Sequence, residues 1–221
     1  MKSSNLTIME ELMLLSLHDQ KGSQLAGNEI GFGLAGAALV ELLTLERIRL
    51  DGDFVRVERT TRTTSLLLDE VLDLLRTADK PKKAKHWIRT IPKKIKPLHH
   101  RVAETLVAKG ILASEEGRIL WIFPVRRYPE RSSAPEVEIR QRIRSTLRDH
   151  RDPDKRTAGL IALMGACKLT KQVFEKGERR EANRQVKELT KSDPFAKTVV
   201  KIIEEMQAAV AAAVAASAAA G

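Results

Sequence analysis

Three kinds of side chain in this sequence are able to do chemistry, and each asks for a different partner. The first is charge. From Lys80 to Arg101 stand nine Lys and Arg (80, 82, 83, 85, 89, 93, 94, 96 and 101) and no Asp or Glu. The formal net charge is +10, so this segment leaves only +1 for the rest of the chain. Charge concentrated in this way attracts an anionic surface, either phospholipid or nucleic acid. The second is glycine: Gly31, Gly33 and Gly36 have the spacing G-x-G-x-x-G, and Asp51 lies twenty residues past Gly31. That pattern suits a dinucleotide loop, whose backbone meets the pyrophosphate while an acid holds the ribose. The third is a set of isolated reactive groups. Cys167, in an apolar stretch, reads as a buried, inert thiol. His99-His100 has no Cys or carboxylate cluster beside it, and adjacent helical positions point in different directions, so it is not a metal site. Asp69-Glu70 are neighbours in sequence only. With no nucleophile–base pair, no catalytic residue, metal ligand or cofactor is assigned, and the chain reads as non-enzymatic.

The elements that must position these groups come from caps, periodicity and turn residues. Thr7 and Glu10 form a T-x-x-E capping box ahead of an apolar run, predicting a helix over 8–18. A polar loop follows, then a second helix over 29–46. Residues 47–58 alternate around Asp51-Gly52, a hairpin signal. "TSLLLDEVLDLLR" predicts an amphipathic helix with Leu67, Val71, Leu74 and Leu75 on one face. The basic segment is interrupted by Pro81, Pro92 and Pro97, and a helix over 97–109 starts at Pro97 and stops at Gly110. Residues 111–123 read as a second hairpin with Glu115-Glu116-Gly117 at its tip, and 124–136 as a loop. Pro135, Pro153 and Pro194 read as first helical residues, the last two capped by Asp152 and Asp193, opening helices near 136–149, 154–175 and 195–218, with another near 178–191. The apolar stretches 34–45 and 157–167 are the candidates for buried central helices.

This order decides the glycine question. A dinucleotide loop leaves the end of a buried strand, and the residues before Gly31 offer only Leu25 and Ile30 as large apolar groups. The chain also lacks alternating strands and helices. The glycines are therefore expected in a helix, where a missing side chain permits close packing. The fold class is mainly α, one domain over 1–221 with one or two β-hairpins. Aromatic residues are 4% of the chain, so Leu, Ile, Val and Ala must build the core. A single cysteine excludes an intramolecular disulfide and suits a reducing compartment. The glutamates of the first helix interrupt what would be a signal-peptide core, and the alanine-rich end over 208–220 is too short and too weakly apolar to span a bilayer.

Seven stretches, taken in order, resemble the Golgi phosphoprotein 3 family, which includes yeast vacuolar protein sorting 74. They are "LTIMEELMLLSLHDQKG", "GLAGAALVELLTLERIRL", "LLLDEVLDLL", "RVAETLVAKGIL", "EEGRILWIFPVRRYP", "IRQRIRSTL" and "GLIALMGACKLTKQVFE", spanning about residues 6–192. The resemblance implies a buried helix ringed by amphipathic ones, with β-hairpins. It implies binding of phosphatidylinositol 4-phosphate and of cytoplasmic tails of membrane proteins. The family's head-group pocket uses a Trp after the first helix, an Arg in the glycine-rich helix and two Arg at i, i+3. Here those places fall on Ala26, Ala35, Lys96 and His99. Two alanines neither stack nor donate to phosphate, Lys96 lacks the guanidinium fork, and His99 is only partly protonated at pH 7. The start of the chain so close to the first helix, with no long extension before it, is what a bacterial relative would show.

These readings converge on one expectation and one alternative. The expectation is a peripheral membrane adaptor, cytoplasmic or on the inner face of a membrane. It docks on anionic phospholipid, phosphoinositide included, through 80–101. Lys96 and His99 meet the anion beside the free amides of helix 97–109, and Lys93, Lys94 and Arg101 add long-range attraction. The alternative is nucleic-acid binding through the same segment. Trp87 is expected in the core. Trp121, in the 111–123 hairpin, is open to two uses, burial against the domain or contact with a membrane or a second copy of the chain.

Overall fold

A computed structural model describes residues 6–17, 30–119, 123–149 and 151–219. At its centre lies α2 (Ile30–Thr44), whose residues from Gly33 to Leu42 are all buried. The G-x-G-x-x-G motif occupies its first two turns, not a strand-to-helix loop. A Cβ added at Gly33 would lie 3.1 Å from Cys167 Sγ, and one at Gly36 would lie 3.1 Å from Met206 Sδ. The glycines are contact surfaces for neighbouring helices, as expected. Asp51, the supposed ribose acid, stands in a hairpin and accepts from Arg56 Nε at 2.7 Å, which holds its carboxyl below the usual range.

The helix α1 (Ile8–Ser16) packs along α2. Both halves of its capping box form: Thr7 Oγ1 accepts from the Glu10 N–H at 3.2 Å, and Glu10 Oε2 accepts from the Thr7 N–H at 2.7 Å. Strands β1 (Ile48–Asp51) and β2 (Phe54–Val57) pair antiparallel with Asp51 opposite Phe54, so Gly52 and Asp53 make the turn. Gly52 has φ +61°, where glycine carries no steric penalty. The expected amphipathic helix is α3 (Leu66–Arg76), capped by Ser65 and burying Leu67, Val71 and Leu75.

The basic segment is folded. Strand β3 (Lys82–Lys83) adds to β2, and α4 (Ala84–Lys94) follows directly. Pro92 does not interrupt this helix. It lies in the last turn, where a missing N–H costs one hydrogen bond, and it packs on the start of α2, 3.6 Å from where a Gly31 Cβ would be. Next comes α5 (Leu98–Ala108), with Pro97 as its N-cap, not its first helical residue.

The second hairpin departs from expectation. Strands β4 (Glu115–Ile119) and β5 (Phe123–Arg127) pair Glu115 with Arg127 and Glu116 with Arg126. Glu115-Glu116-Gly117 is thus strand and not the tip, and residues 123–127 are strand instead of loop. Cross-strand pairing of opposite charges outweighs the turn propensity of glycine. Trp121 and Ala26 lie outside the described residues.

Four further helices and one short turn close the core. α6 (Ala134–Arg148) carries Pro135 in its first turn. The helix expected over 154–175 divides into α7 (Lys155–Ala166) and α8 (Thr170–Val173), because Lys168 takes φ +57° and ends the first. Asp154, not Asp152, caps α7: its Oδ1 accepts from the Thr157 N–H at 2.7 Å. α9 (Arg179–Ser192) leads to α10 (Pro194–Ala219), where Pro194 is the first residue and Asp193 Oδ1 accepts from the Ala196 N–H at 2.6 Å. Helices α2 and α7, the two expected central ones, lie against each other and against α10. The chain is mainly α, with two small antiparallel sheets among the described residues.

Candidate anion-binding face

The nine cations from Lys80 to Arg101 do not share one fate. Arg101 is engaged: its Nη1 and Nη2 donate to the two carboxylate oxygens of Glu70 at 2.5 and 2.7 Å. That bidentate pair ties α5 to α3 and holds the Glu70 carboxyl below its usual range. Lys83 lies 3.5 Å from Asp53 and over the Phe54 ring. Among the described residues, no carboxylate lies within salt-bridge distance of the other seven.

Helical periodicity arranges three of these seven in a stripe. Ala84, Trp87, Ile88 and Ile91 are buried, and α4 packs on α2 and α10 with that side. Lys85, Arg89 and Lys93 follow at intervals of four on the exposed side, with His86 beside them. Lys80 and Lys82 precede the helix, and Lys94 and Lys96 follow it. The basic segment is therefore an ordered amphipathic face with the core behind it. Trp87, 3% exposed, is in that core as expected.

The start of α5, where an anion was expected, is chemically different. The N–H groups of Leu98, His99 and His100 precede the first intrahelical bond, from the Arg101 N–H to Pro97 O at 3.1 Å. A cleft of about 640 Å³ opens beside them, lined by Lys96, His100, Arg101, Glu104, Glu116 and Arg126 among others. Arg126 is 3.1 Å from Glu104 and 3.8 Å from Glu116, so its charge is compensated, as is that of Arg101. Lys96 is the one cation lining this cleft with no carboxylate partner among the described residues. The two histidine rings do not diverge: their centroids are 4.2 Å apart. Desolvation, reinforced by the neighbouring ring, pushes the His99 imidazole down to about 4, so it is neutral at pH 7 rather than partly charged. His100 is lowered too, chiefly by burial, and a 2.8 Å hydrogen bond joins its Nδ1 to Tyr128 Oη.

The sequence-predicted anion site is thus rearranged. Lys93, Lys94 and Lys96 are exposed and unpaired among the described residues, whereas Arg101 and His99 contribute no free charge. Ala35 is fully buried inside α2 and offers no surface to a ligand. Sequence reasoning missed Glu70, which cancels Arg101, and the Glu104–Arg126–Glu116 cluster over the cleft. The i, i+1 placement of Asp69 and Glu70 held no hint, since Asp69 turns inward to accept from the Thr63 N–H at 2.7 Å while Glu70 turns outward.

Cys167 follows expectation more closely. Burial pushes the Cys167 thiol up to about 12, which leaves it a poor nucleophile. No group of three or more metal-ligating side chains occurs among the described residues. No helix among them is long and apolar enough to cross a membrane.

The sequence pattern of the Golgi phosphoprotein 3 family matches residues 8–206, from α1 into α10. Vacuolar protein sorting-associated protein 74 of Eremothecium gossypii is 28% identical over 168 residues, which take in 66% of this chain and 50% of that protein. The chain spans about half the length of this curated relative. With a match that runs through both central helices and the entire basic face, the chain belongs to the Golgi phosphoprotein 3 family.

Proposed function

We propose that this protein is a non-enzymatic peripheral membrane adaptor that docks on anionic phospholipid through the exposed side of α4, with Lys80, Lys82, Lys94 and Lys96 at its margins. One observation carries the reading: seven cations without carboxylate partners among the described residues are held together on one ordered segment. Each such residue near an anionic membrane contributes about 1 kcal/mol. The head-group positions that the family resemblance points to supply little here, since Ala35 is buried and His99 is neutral, and Arg101 nearby is paired. Binding is accordingly a matter of surface charge more than of one fitted phosphoinositide. The sorting role in the fungal relative's name makes cytoplasmic tails of membrane proteins the natural clients, and the inner face of a membrane the place where they are met.

Vesicle flotation tests this. The protein is expected to float with phosphatidylcholine vesicles containing phosphatidylserine, to stay behind with pure phosphatidylcholine, and to be released by salt. Lys85→Glu, Arg89→Glu and Lys93→Glu together should weaken binding by at least about a hundredfold. Equal flotation on neutral vesicles would overturn the reading. A salt-sensitive shift of nucleic acid without vesicle binding would replace it with the nucleic-acid alternative.

A further inference from the structure

A second cleft, of about 500 Å³, lies between the β1–β2 hairpin, the end of α3 and the start of the basic segment. It does not include the exposed stripe of α4. Its walls carry five cationic side chains, Arg49, Arg56, Arg76, Lys80 and Lys82, against two carboxylates, Glu58 and Asp79. The arginines are braced by acids: Arg49 by Glu58 at 2.5 Å, Arg56 by Asp51 at 2.7 Å and Arg76 by Asp73 at 3.1 Å. Bracing fixes their position and leaves part of each guanidinium fork unused. Lys80 and Lys82 have no carboxylate within salt-bridge distance among the described residues.

Trp87 also lines this cleft, and its indole Nε1 is a buried donor with no acceptor. An orphaned buried N–H is costly, and native proteins rarely leave one without a reason. The donor and the two unpaired lysines ask for the same missing partner, an oxyanion. The volume is that of a small-ligand site and exceeds the needs of a bare ion. We infer that the cleft binds a phosphate monoester, with the Trp87 N–H donating to one phosphate oxygen and Lys80 and Lys82 neutralising its two negative charges. The ester substituent occupies the remaining space beside Val55 and Leu75. A phosphomonoester of this kind is found both on lipid head groups and on soluble metabolites. The chemistry recognised is common to both.

The Trp121→Phe chain, in which Trp87 is the sole tryptophan, reports on the site directly. Titration with inorganic phosphate at constant ionic strength should change its fluorescence saturably, while chloride should not. Lys80→Ala with Lys82→Ala should weaken that response at least tenfold. Trp87→Phe, followed by calorimetry in the full chain, should lose about tenfold in phosphate affinity while circular dichroism shows the fold retained. A linear response shared with chloride, or one indifferent to Lys80 and Lys82, overturns the site. Vesicles decide the source: a preference for phosphatidic acid over equally charged phosphatidylserine, lost in the Lys80/Lys82 variant, assigns a lipid head group. Saturable phosphate binding without that preference assigns a soluble ester. The Lys85/Arg89/Lys93 charge reversal should abolish flotation yet leave the phosphate titration intact, so the two proposals fail separately.

Discussion

His99 shows how burial can reverse a residue's expected role. In sequence it is a cation in waiting beside a helix start; in the fold it is a base kept neutral by desolvation, next to a second ring. Its folded-state value of about 4 lies below the ordinary 6.5, so the unfolded chain binds the extra proton between those values. Stability from this group is complete above about pH 6.5 and is lost as pH falls toward 4, on the order of 2 kcal/mol after allowing for partial exposure. His100 shifts in the same direction, and Glu104 and Arg126 bias it oppositely. Chemical denaturation of the native chain and of His99→Gln across pH 4–7 should show a shallower slope in the variant. Parallel profiles would mean that the ring is solvated. At pH 7 the same substitution should leave vesicle binding unchanged, whereas Lys96→Ala should reduce it. Sequence alone shows that a histidine is present, but its charge depends on how far the fold buries the ring.

At the scale of elements, what is local was legible and what is paired was not. The capping box of α1, the amphipathic face of α3 and the proline start of α10 are written within a few residues, and each formed. The tip of the second hairpin was misplaced because Glu115-Glu116-Gly117 resembles a turn until Arg126 and Arg127 arrive opposite it. The break between α7 and α8 has no proline to announce it, only a left-handed Lys168. The glycines can be sorted by what each would touch. A Cβ on Gly31 makes an ordinary 3.6 Å contact, while one on Gly159 would come within 2.6 Å of Val40 Cγ1, a side chain with little freedom. Gly31→Ala should be neutral or slightly stabilising, because alanine favours helix. Gly159→Ala should cost about 1–3 kcal/mol by overpacking α7 on α2, read as a lower melting temperature. Equal melting temperatures for the two variants would contradict that packing.

Across the whole molecule, buried ions hold the helices in register. Glu11 is fully buried in α1 and Glu41 nearly so in α2. Arg142 of α6 donates to Glu11 at 2.7 Å, and Arg156 of α7 lies 2.6 Å from Glu41 and 3.3 Å from Glu11. Glu41 also accepts from the Ile8 N–H at 2.5 Å, closing the start of α1. Desolvation raises the Glu41 carboxyl above its usual range despite the nearby guanidinium. Removing Arg156 strands the buried Glu41 carboxylate and leaves Glu11 with Arg142 alone, and Arg156→Ala should cost about 3 kcal/mol in urea denaturation. Adding Glu41→Gln should recover part of that loss. An unchanged midpoint would show that the network is solvated. These partners are 115 and 131 residues apart in sequence, so no local pattern reveals them. For the same reason the sequence showed the basic segment but not which of its charges are free.

The mounting of α4 on α2 and α10, with Pro92 seated on Gly31, has a thermodynamic consequence. A disordered polybasic tail loses conformational entropy when a surface orders it, and this helix has already lost that entropy in folding. Docking therefore leaves the backbone as it is. Far-ultraviolet circular dichroism should not gain helix when vesicles are added, and the favourable free energy should come mainly from release of counterions at the membrane.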